Sequence, residues 1–287
     1  MERYKLLADS GATKSEWALL GNGGVLEHFY TSGINVTYSS EEDIKQIVNI
    51  VVSRLSITPD QLNELIFYGA GCANEYKTIH LKTILFHHFP NTNIRIYSDL
   101  IGACHALCGT NPGWVAILGT GSASCLYDGQ QMTITTPSPG YLLGDEGSGT
   151  SLGKKLLKAY LMNQMSTELK KDFEHKYQLS PSLIMEKLYR QPNPNRFMSS
   201  FAPYMMEQIE NPFIHKICAQ NFQEFIQLNL DYYPDYKKYK LNILGSIAYH
   251  FRALITQVAA QNSIEMGLIE AAPMPRLIKQ YLNANLK

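Results

Sequence analysis

The sequence predicts an α/β protein of two related domains, each a mixed sheet in which a strand meander leads into strand–helix crossovers. Three observations carry this. A short apolar strand running into a Gly-rich turn and then into a second strand occurs twice, as LADSGATKS at residues 7–15 and as ILGTGS at residues 117–122. The meander built on the first copy restarts after Pro112. A chain of 287 residues is also long for one hydrophobic core and natural for two, because single cores stop growing near ~250–300 residues.

The elements follow in order. Residues 3–30 alternate as a three-strand meander that turns at residues 9–13 and again at 21–24. Residues 41–55 place Ile44, Ile47, Val48, Val51, Val52 and Leu55 at a helical period, with Ser39 or Ser40 as the cap. Residues 65–68 read as a buried strand ending in Gly-Ala-Gly, and residues 94–97 as another ending in Ser98-Asp99. Strand, helix, strand, helix implies a mixed sheet with helices outside. In the second half, residues 114–118, 123–127 and 132–136 form a second meander with Asp128-Gly129 as its hairpin turn. The pattern is then helical and rich in aromatics to residue 233, interrupted by QPNPN at 191–195, and these aromatics are expected to be core. Residues 241–244 read as a strand, Gly245-Ser246 as a turn, and residues 247–260 as one helix capped by Ser246. The expected domains are residues 1–106 and 107–274, followed by a last helix at 275–287.

Composition excludes several function classes. Acidic and basic side chains number 25 each, so nothing points to a polyanion-binding surface and no nucleic-acid partner is expected. Five cysteines without CxxC pairs, and no apolar run after Met1-Glu2-Arg3-Tyr4-Lys5, suggest a reducing, cytoplasmic setting. No apolar stretch approaches the roughly 20 residues that span a bilayer, so no membrane role is expected.

The Gly-rich turns have several readings. GSGTSLGKK at residues 147–155 has the wrong spacing for a P-loop and Lys155 where the hydroxyl belongs. A dinucleotide fingerprint fails because Gly119 and Gly121 lead to Ser124 and the strand-like SASCLYD rather than a helix. A plain hairpin turn explains either cluster alone. Repetition, with Asp9, Thr13, Thr120 and Ser122 attached, favours one phosphate cradle carried twice. Its backbone N–H groups would face phosphate oxygens from a turn that only Gly tolerates, because a missing Cβ lets both the chain and the anion approach closely. A nucleotide held between two similar domains is the expectation.

Taken in order, DSGATKS, Ser98-Asp99, LGTGS, LLGDEGS and LNILGSIA resemble the motif series of the actin-like superfamily of sugar kinases and chaperone ATPases. The resemblance lies in its N-acetylglucosamine kinase and BadF/BadG ATPase branch, and runs from residue 6 to about residue 250. It implies two duplicated ribonuclease H-like domains around a nucleotide cleft, ATP and Mg2+ as the cofactors, and transfer of the γ-phosphate to a hydroxyl of an amino sugar such as N-acetylglucosamine. Phosphoryl transfer is mainly positioning and charge stabilisation. Gly11, Ala12, Thr13 and Lys14 are accordingly implied to meet the terminal phosphates, and Asp9 to hold Mg2+ directly or through water. Gly119, Thr120, Gly121 and Ser122 would cover the phosphates from the second domain, with Thr120 nearest the transferred group. Gly245 and Ser246 would approach the adenosine.

Asp99 ends a strand where an open α/β sheet presents its ligands, and is the candidate catalytic base, with a helix N-cap as the other reading. Sugar recognition is assigned to Asn35, Asp99, Ser138, Gly140 and Asp145, since amides and carboxylates bond sugar hydroxyls in plane. Asn35 also fits a plain turn residue, and Glu146 a partner for the positive end of the next helix. Two stretches depart from the family pattern: Pro137-Ser138-Pro139 replaces Gly-Gly-Trp, and Arg276 stands where the C-terminal Pro-x-x-Gly would have its glycine. The last helix is expected to pack on the first domain, with hinges near residues 98–112 and 270–275. The family's habit implies a homodimer.

The rival in the same superfamily is a partner-coupled activator ATPase that bridges an iron–sulfur cluster. Its Cys-Ala-Ala-Gly-Thr-Gly signature is absent, and Cys104, Cys108 and Cys125 read as core residues. A sugar or nucleotide sensor without turnover is the rival from another class, and the acidic set Asp9, Asp99 and Asp145 argues against it.

Overall fold

The computed structural model describes residues 3–11, 13–37, 39–73 and 75–284. The chain divides into two compact units, Met1–Asn111 with Ala272–Lys287, and Pro112–Ala271. In the first, β1 (Tyr4–Ser10), β2 (Lys14–Gly21) and β3 (Gly24–Ser32) form the meander, α1 (Glu41–Arg54) crosses to β4 (Leu62–Gly69), α2 (Glu75–His88) crosses to β5 (Asn93–Ser98), and α3 (Asp99–Cys108) follows. In the second, the meander is β6 (Gly113–Leu118), β7 (Ser122–Tyr127) and β8 (Met132–Thr135). Helices α4 (Gly149–Leu161), α5 (Thr167–Tyr177), α6 (Pro181–Tyr189), α7 (Pro194–Ser199), α8 (Ala202–Glu207) and α9 (Pro212–Tyr232) come next. The unit closes with β9 (Leu241–Leu244), α10 (Ser246–His250), α11 (Arg252–Gln261) and β10 (Met266–Glu270), and α12 (Met274–Ala284) returns to the first unit.

The two sheets have orders β3-β2-β1-β4-β5 and β8-β7-β6-β9-β10. In each, the first strand is antiparallel to the second and parallel to the fourth, and the fourth is parallel to the fifth. The repeat seen in the sequence is therefore a repeat of topology.

The apolar strands β1, β2 and β4 are covered on both faces, so the alternation expected over residues 3–30 is not one of buried and exposed side chains there. Leu6, Ala8, Trp17, Leu19, Leu65 and Phe67 join Ile44, Val48 and Val51 of α1 and Leu81 and Leu85 of α2 in one cluster. Their alternates Leu7, Ala18, Ile66 and Tyr68 join Ala106 of α3 with Met274 and Leu277 of α12 in another. Ser40, not Ser39, caps α1: its Oγ accepts from the Asp43 N–H at 3.1 Å while Asp43 accepts from the Ser40 N–H at 3.3 Å, a capping box. In the second unit Trp114, Phe173, Phe201, Tyr204, Phe222 and Tyr233 lie in one core, as the aromatic-rich pattern implied. Cys104 and Cys125 are buried. Among the described residues no helix is long and apolar enough to cross a membrane.

The single helix expected at 247–260 is two. The chain breaks at Phe251, which is buried against Phe222 with ring centroids 5.6 Å apart. Ser246 does not cap it either: it is the first residue of α10, and Gly245 holds the cap position with φ 121°. A Cβ on Gly245 would sit 2.3 Å from the Leu118 carbonyl oxygen, and its N–H donates to Glu270 O at 2.8 Å. Sheet contacts thus set this helix start, and only glycine meets both the dihedral and the clearance.

Candidate functional site

The site residues fall into two sets, one in each unit. In the first, the β1–β2 turn is closed by Gly11 N–H donating to Lys14 O at 3.0 Å. Ala12 lies outside the described residues. The turn is lashed to the segment after β3: the Gly33 N–H donates to Thr13 O at 3.0 Å, the buried Ser10 and Ser15 hydroxyls lie 2.5 Å apart, and the Ile34 N–H donates to Ser10 Oγ at 2.9 Å. A Cβ on Gly33 would lie 2.3 Å from Gly11 O and 2.7 Å from the Thr13 and Lys14 nitrogens. Ser10, Ser15 and Gly33 were not singled out from the sequence; the Ser-Gly before Ile34 was the available signal.

Glycine acts in the turns through its missing Cβ, as expected, and not through its dihedral freedom. None of Gly11, Gly119 and Gly121 has a left-handed backbone, so these are not conformations that only Gly tolerates. What glycine leaves is room. Nothing lies within 4 Å of where a Cβ would stand at Gly119, and at Gly11 only Lys14 O at 3.7 Å. A ligand oxygen can approach the chain there without meeting a side chain.

Three carboxylates gather at the same end of this sheet. Asp9 is next to last in β1 and pairs directly with Glu16 on β2, so both side chains lie on the face that carries Leu7 and Ala18. Asp9 also pairs with Tyr68, and Tyr68 with Tyr97. Asp99 follows β5 on that side, about 10 Å or two strand spacings across. Burial pushes the Asp9 carboxyl up to about 7, with the charges of Glu16 and Asp99 adding to the rise and Lys14 opposing it. Burial also raises Asp99. Ser98 is the N-cap of α3, its Oγ accepting from the Ile101 N–H at 3.3 Å, while Asp99 accepts from the Leu100 N–H at 2.9 Å. The capping duty weighed for Asp99 therefore falls to its neighbour. Glu16 was missed; a charge directly before the apolar run Trp-Ala-Leu-Leu was its only trace.

This set fits a magnesium ion of the kind nucleotides carry. Among the described residues no group of three or more His, Cys, Asp or Glu side chains could cage a metal. Mg2+ does not need one, since it takes one or two carboxylates and completes its shell with water and phosphate oxygens. Like charges directly opposite on adjacent strands are destabilising, so the Asp9–Glu16 pair is a place where a cation is favoured.

Asn35 is buried, and its Oδ1 accepts from the Thr37 N–H at 2.9 Å, the turn role considered for it. The opposite side of that amide, its NH2, remains as a donor to a ligand. Gly71, after β4, packs here: a Cβ would stand 2.7 Å from Thr37 Oγ1 and 3.2 Å from Asn35 Oδ1.

In the second unit the β6–β7 turn is joined to the start of α4. The Gly149 N–H donates to Gly119 O at 2.9 Å and the Thr150 N–H to Thr120 O at 3.1 Å. Asp145, at φ 66°, accepts from the Ser122 N–H at 3.3 Å, and its two oxygens lie 3.2 Å from the Cβ position of Gly121. Burial raises its pKa, which the Ser122 N–H opposes. Ser138 Oγ donates to Ser122 O at 3.0 Å, and Gly140 turns at φ 82° with open space around it. Gly121, Ser122, Ser138 and Asp145 are thus one neighbourhood.

Gly119 and Thr120 also border a separate cavity of about 350 Å3, whose other walls are Ser246, Ile247, His250 and Phe251 with Ser199, Ala202, Pro203 and Met206. Its size and mainly apolar walls suit a small-molecule ring system. The α7–α8 residues carried no signal in the sequence.

No protein-family model matches the chain, and no curated protein matches it. Solved structures do. One from Porphyromonas gingivalis, described as a candidate N-acetylglucosamine kinase, is 32% identical, with 98% of this chain and 99% of that one covered and a TM-score of 0.89. A second protein of that description, from Chromobacterium violaceum, is 14% identical over 97% of this chain and 98% of its own, with a TM-score of 0.78. A ROK family protein from Streptococcus pneumoniae, solved with sucrose, is 10% identical over 99% and 100% of the two chains, with a TM-score of 0.54. The latter two are likenesses of fold.

Proposed function

The chain belongs to the N-acetylglucosamine kinase-like branch of the actin-like ATPase superfamily, and on that footing we propose that it is an ATP-dependent kinase of an amino sugar, N-acetylglucosamine or a related hexosamine. The observation that carries this reading is Asp99: a carboxylate at the C-terminal end of a parallel strand, relieved of capping by Ser98 and raised by burial, so disposed to take a proton.

Each residue then has a task. Gly11, Thr13 and Lys14 bind the terminal phosphates from the first unit, and Gly119, Thr120, Gly121 and Ser122 bind them from the second. The apolar cavity beside Thr120 and Ser246 takes the nucleoside. Asp9, with Glu16 beside it, would hold Mg2+ directly or through water, and that ion would neutralise charge on the phosphate oxygens. Asn35, Ser138, Gly140 and Asp145 orient the sugar. Asp99 accepts the proton of the attacking hydroxyl as its oxygen bonds to the terminal phosphorus and ADP leaves. The raised carboxyl of Asp99 favours this, since a base with a pKa nearer neutrality drives proton transfer further.

The test is ADP release with Mg-ATP across hexoses, amino sugars and N-acetylated sugars, with Asp99→Asn alongside. Sugar-dependent release that falls by about 10²–10⁴-fold in the variant, with Mg-ATP binding retained, is expected. If no sugar raises ADP release above background while ATP still binds, the kinase reading fails and a sensor or partner-coupled ATPase replaces it.

A further inference from the structure

Tyr30 lies on the edge strand β3 and is 45% exposed. Core packing does not account for an aromatic there, and edge strands ordinarily carry charge rather than exposed rings. What the ring touches is Lys14: the ammonium lies 3.6 Å from the ring centroid, a close cation–π contact. Lys14 is exposed at the mouth of the β1–β2 turn, and β2 and β3 place it two pairs beyond Tyr30, opposite Ser32, with Glu16 opposite Tyr30 itself.

The ring is also held. Its hydroxyl donates to Glu16 Oε1 at 3.3 Å, and the same oxygen bonds His28 Nε2 at 2.7 Å. The Arg54 guanidinium donates to the Tyr30 carbonyl at 3.0 Å. Asp9, Glu16 and Tyr30 thus form one row across three strands, with Lys14 above its end. A lysine has four rotatable bonds, and freezing them on a ligand carries an entropic cost. A lysine already resting on a fixed ring has fewer rotamers to lose.

We propose that Tyr30 is a positioning residue, whose ring holds the Lys14 ammonium at the phosphate turn for the terminal phosphate of the nucleotide. The proposal rests on the reading of Lys14 as a phosphate ligand. Phenylalanine supplies the same ring face without the hydroxyl, whereas threonine keeps a strand-forming residue at the edge and supplies no ring.

The experiment is calorimetric titration of Mg-ATP and Mg-ADP into the parent protein, Tyr30→Phe, Tyr30→Thr, Lys14→Ala and the Lys14→Ala/Tyr30→Thr double variant, with thermal denaturation of each. Expected is a roughly 2- to 5-fold loss of Mg-ATP affinity in Tyr30→Thr, the size of an exposed cation–π contact, with a smaller change for Mg-ADP. Tyr30→Phe should stay within about 2-fold of the parent, and Tyr30→Thr should add nothing once Lys14 is gone. Parent-like affinity in Tyr30→Thr, or an undiminished loss in the double variant, would overturn the positioning role alone. An unchanged Mg-ATP affinity in Lys14→Ala would remove the phosphate role of Lys14, and the proposal with it.

Discussion

Replacing Gly33 by alanine separates a glycine that the fold requires from one that the ligand requires. The new Cβ at Gly33 would meet Gly11 O at 2.3 Å and the Thr13 and Lys14 nitrogens at 2.7 Å, all main-chain atoms. Ordinary contacts stand near 3.5 Å, so the 33–35 segment must retreat from the turn by roughly an ångström. Overpacking of this kind costs about 1–3 kcal/mol, and loss of the Gly33 N–H bond to Thr13 O about 1 kcal/mol more, for a total near 2–4 kcal/mol. For a unit of this size the melting temperature should fall by roughly 6–16 °C. The turn would shift with it, so Mg-ATP affinity should fall as well. Gly11→Ala is the control, because its Cβ would meet only Lys14 O at 3.7 Å and its backbone is not left-handed. Its stability should change by no more than about 1 kcal/mol, while the added methyl crowds the ligand and weakens Mg-ATP binding. Thermal denaturation by circular dichroism, paired with Mg-ATP titration, reads both. A Gly33→Ala protein as stable as the parent, or a Gly11→Ala protein more destabilised than Gly33→Ala, would refute the reasoning.

Two further predictions concern the same unit. The Asp9 carboxyl, pushed up to about 7 from 3.8, keeps a proton in the folded protein that the unfolded chain releases, so its contribution to stability is full below about pH 4 and is lost as pH rises through 7. Asp9→Asn should therefore gain on the parent in melting temperature between about pH 4 and 7 in the nucleotide-free protein and level off above; a gain that shrinks with pH would contradict the raised carboxyl. The buried Tyr68 hydroxyl bonds His105 Nδ1 and Tyr281 Oη at 2.8 Å each, tying α12 to β4 and α3. Tyr68→Phe should lower stability by about 1–3 kcal/mol in chemical denaturation, and a neutral effect would show that the tie contributes little.

The sheets were legible because their signals are local. The strand–turn–strand pattern of LADSGATKS and ILGTGS, and the helical period of Ile44, Ile47, Val48 and Val51, can each be read within a dozen residues and reappear as β1–β2, β6–β7 and α1. The start of α10 was misread because Ser246 looked like a cap, whereas a contact between Gly245 and Leu118, far apart in the chain, sets that helix start. The glycines of the two turns were noticed for the Cβ they lack, and the structure leaves open space in front of Gly11 and Gly119 without a left-handed backbone.

The sequence by itself determined the mixed α/β class, the doubled strand–turn–strand unit and the acidic residues that end strands, since apolar periodicity and turn chemistry act over one element at a time. Only the tertiary structure decided that Glu16 stands opposite Asp9 and Tyr30, that Ser98 rather than Asp99 caps α3, that Asp145 lies against Gly121 and Ser122, and that Ala202 and Met206 wall a cavity beside Thr120. Register between strands and close approach between distant segments arise from how faces are buried against one another, and no short stretch of chain records that.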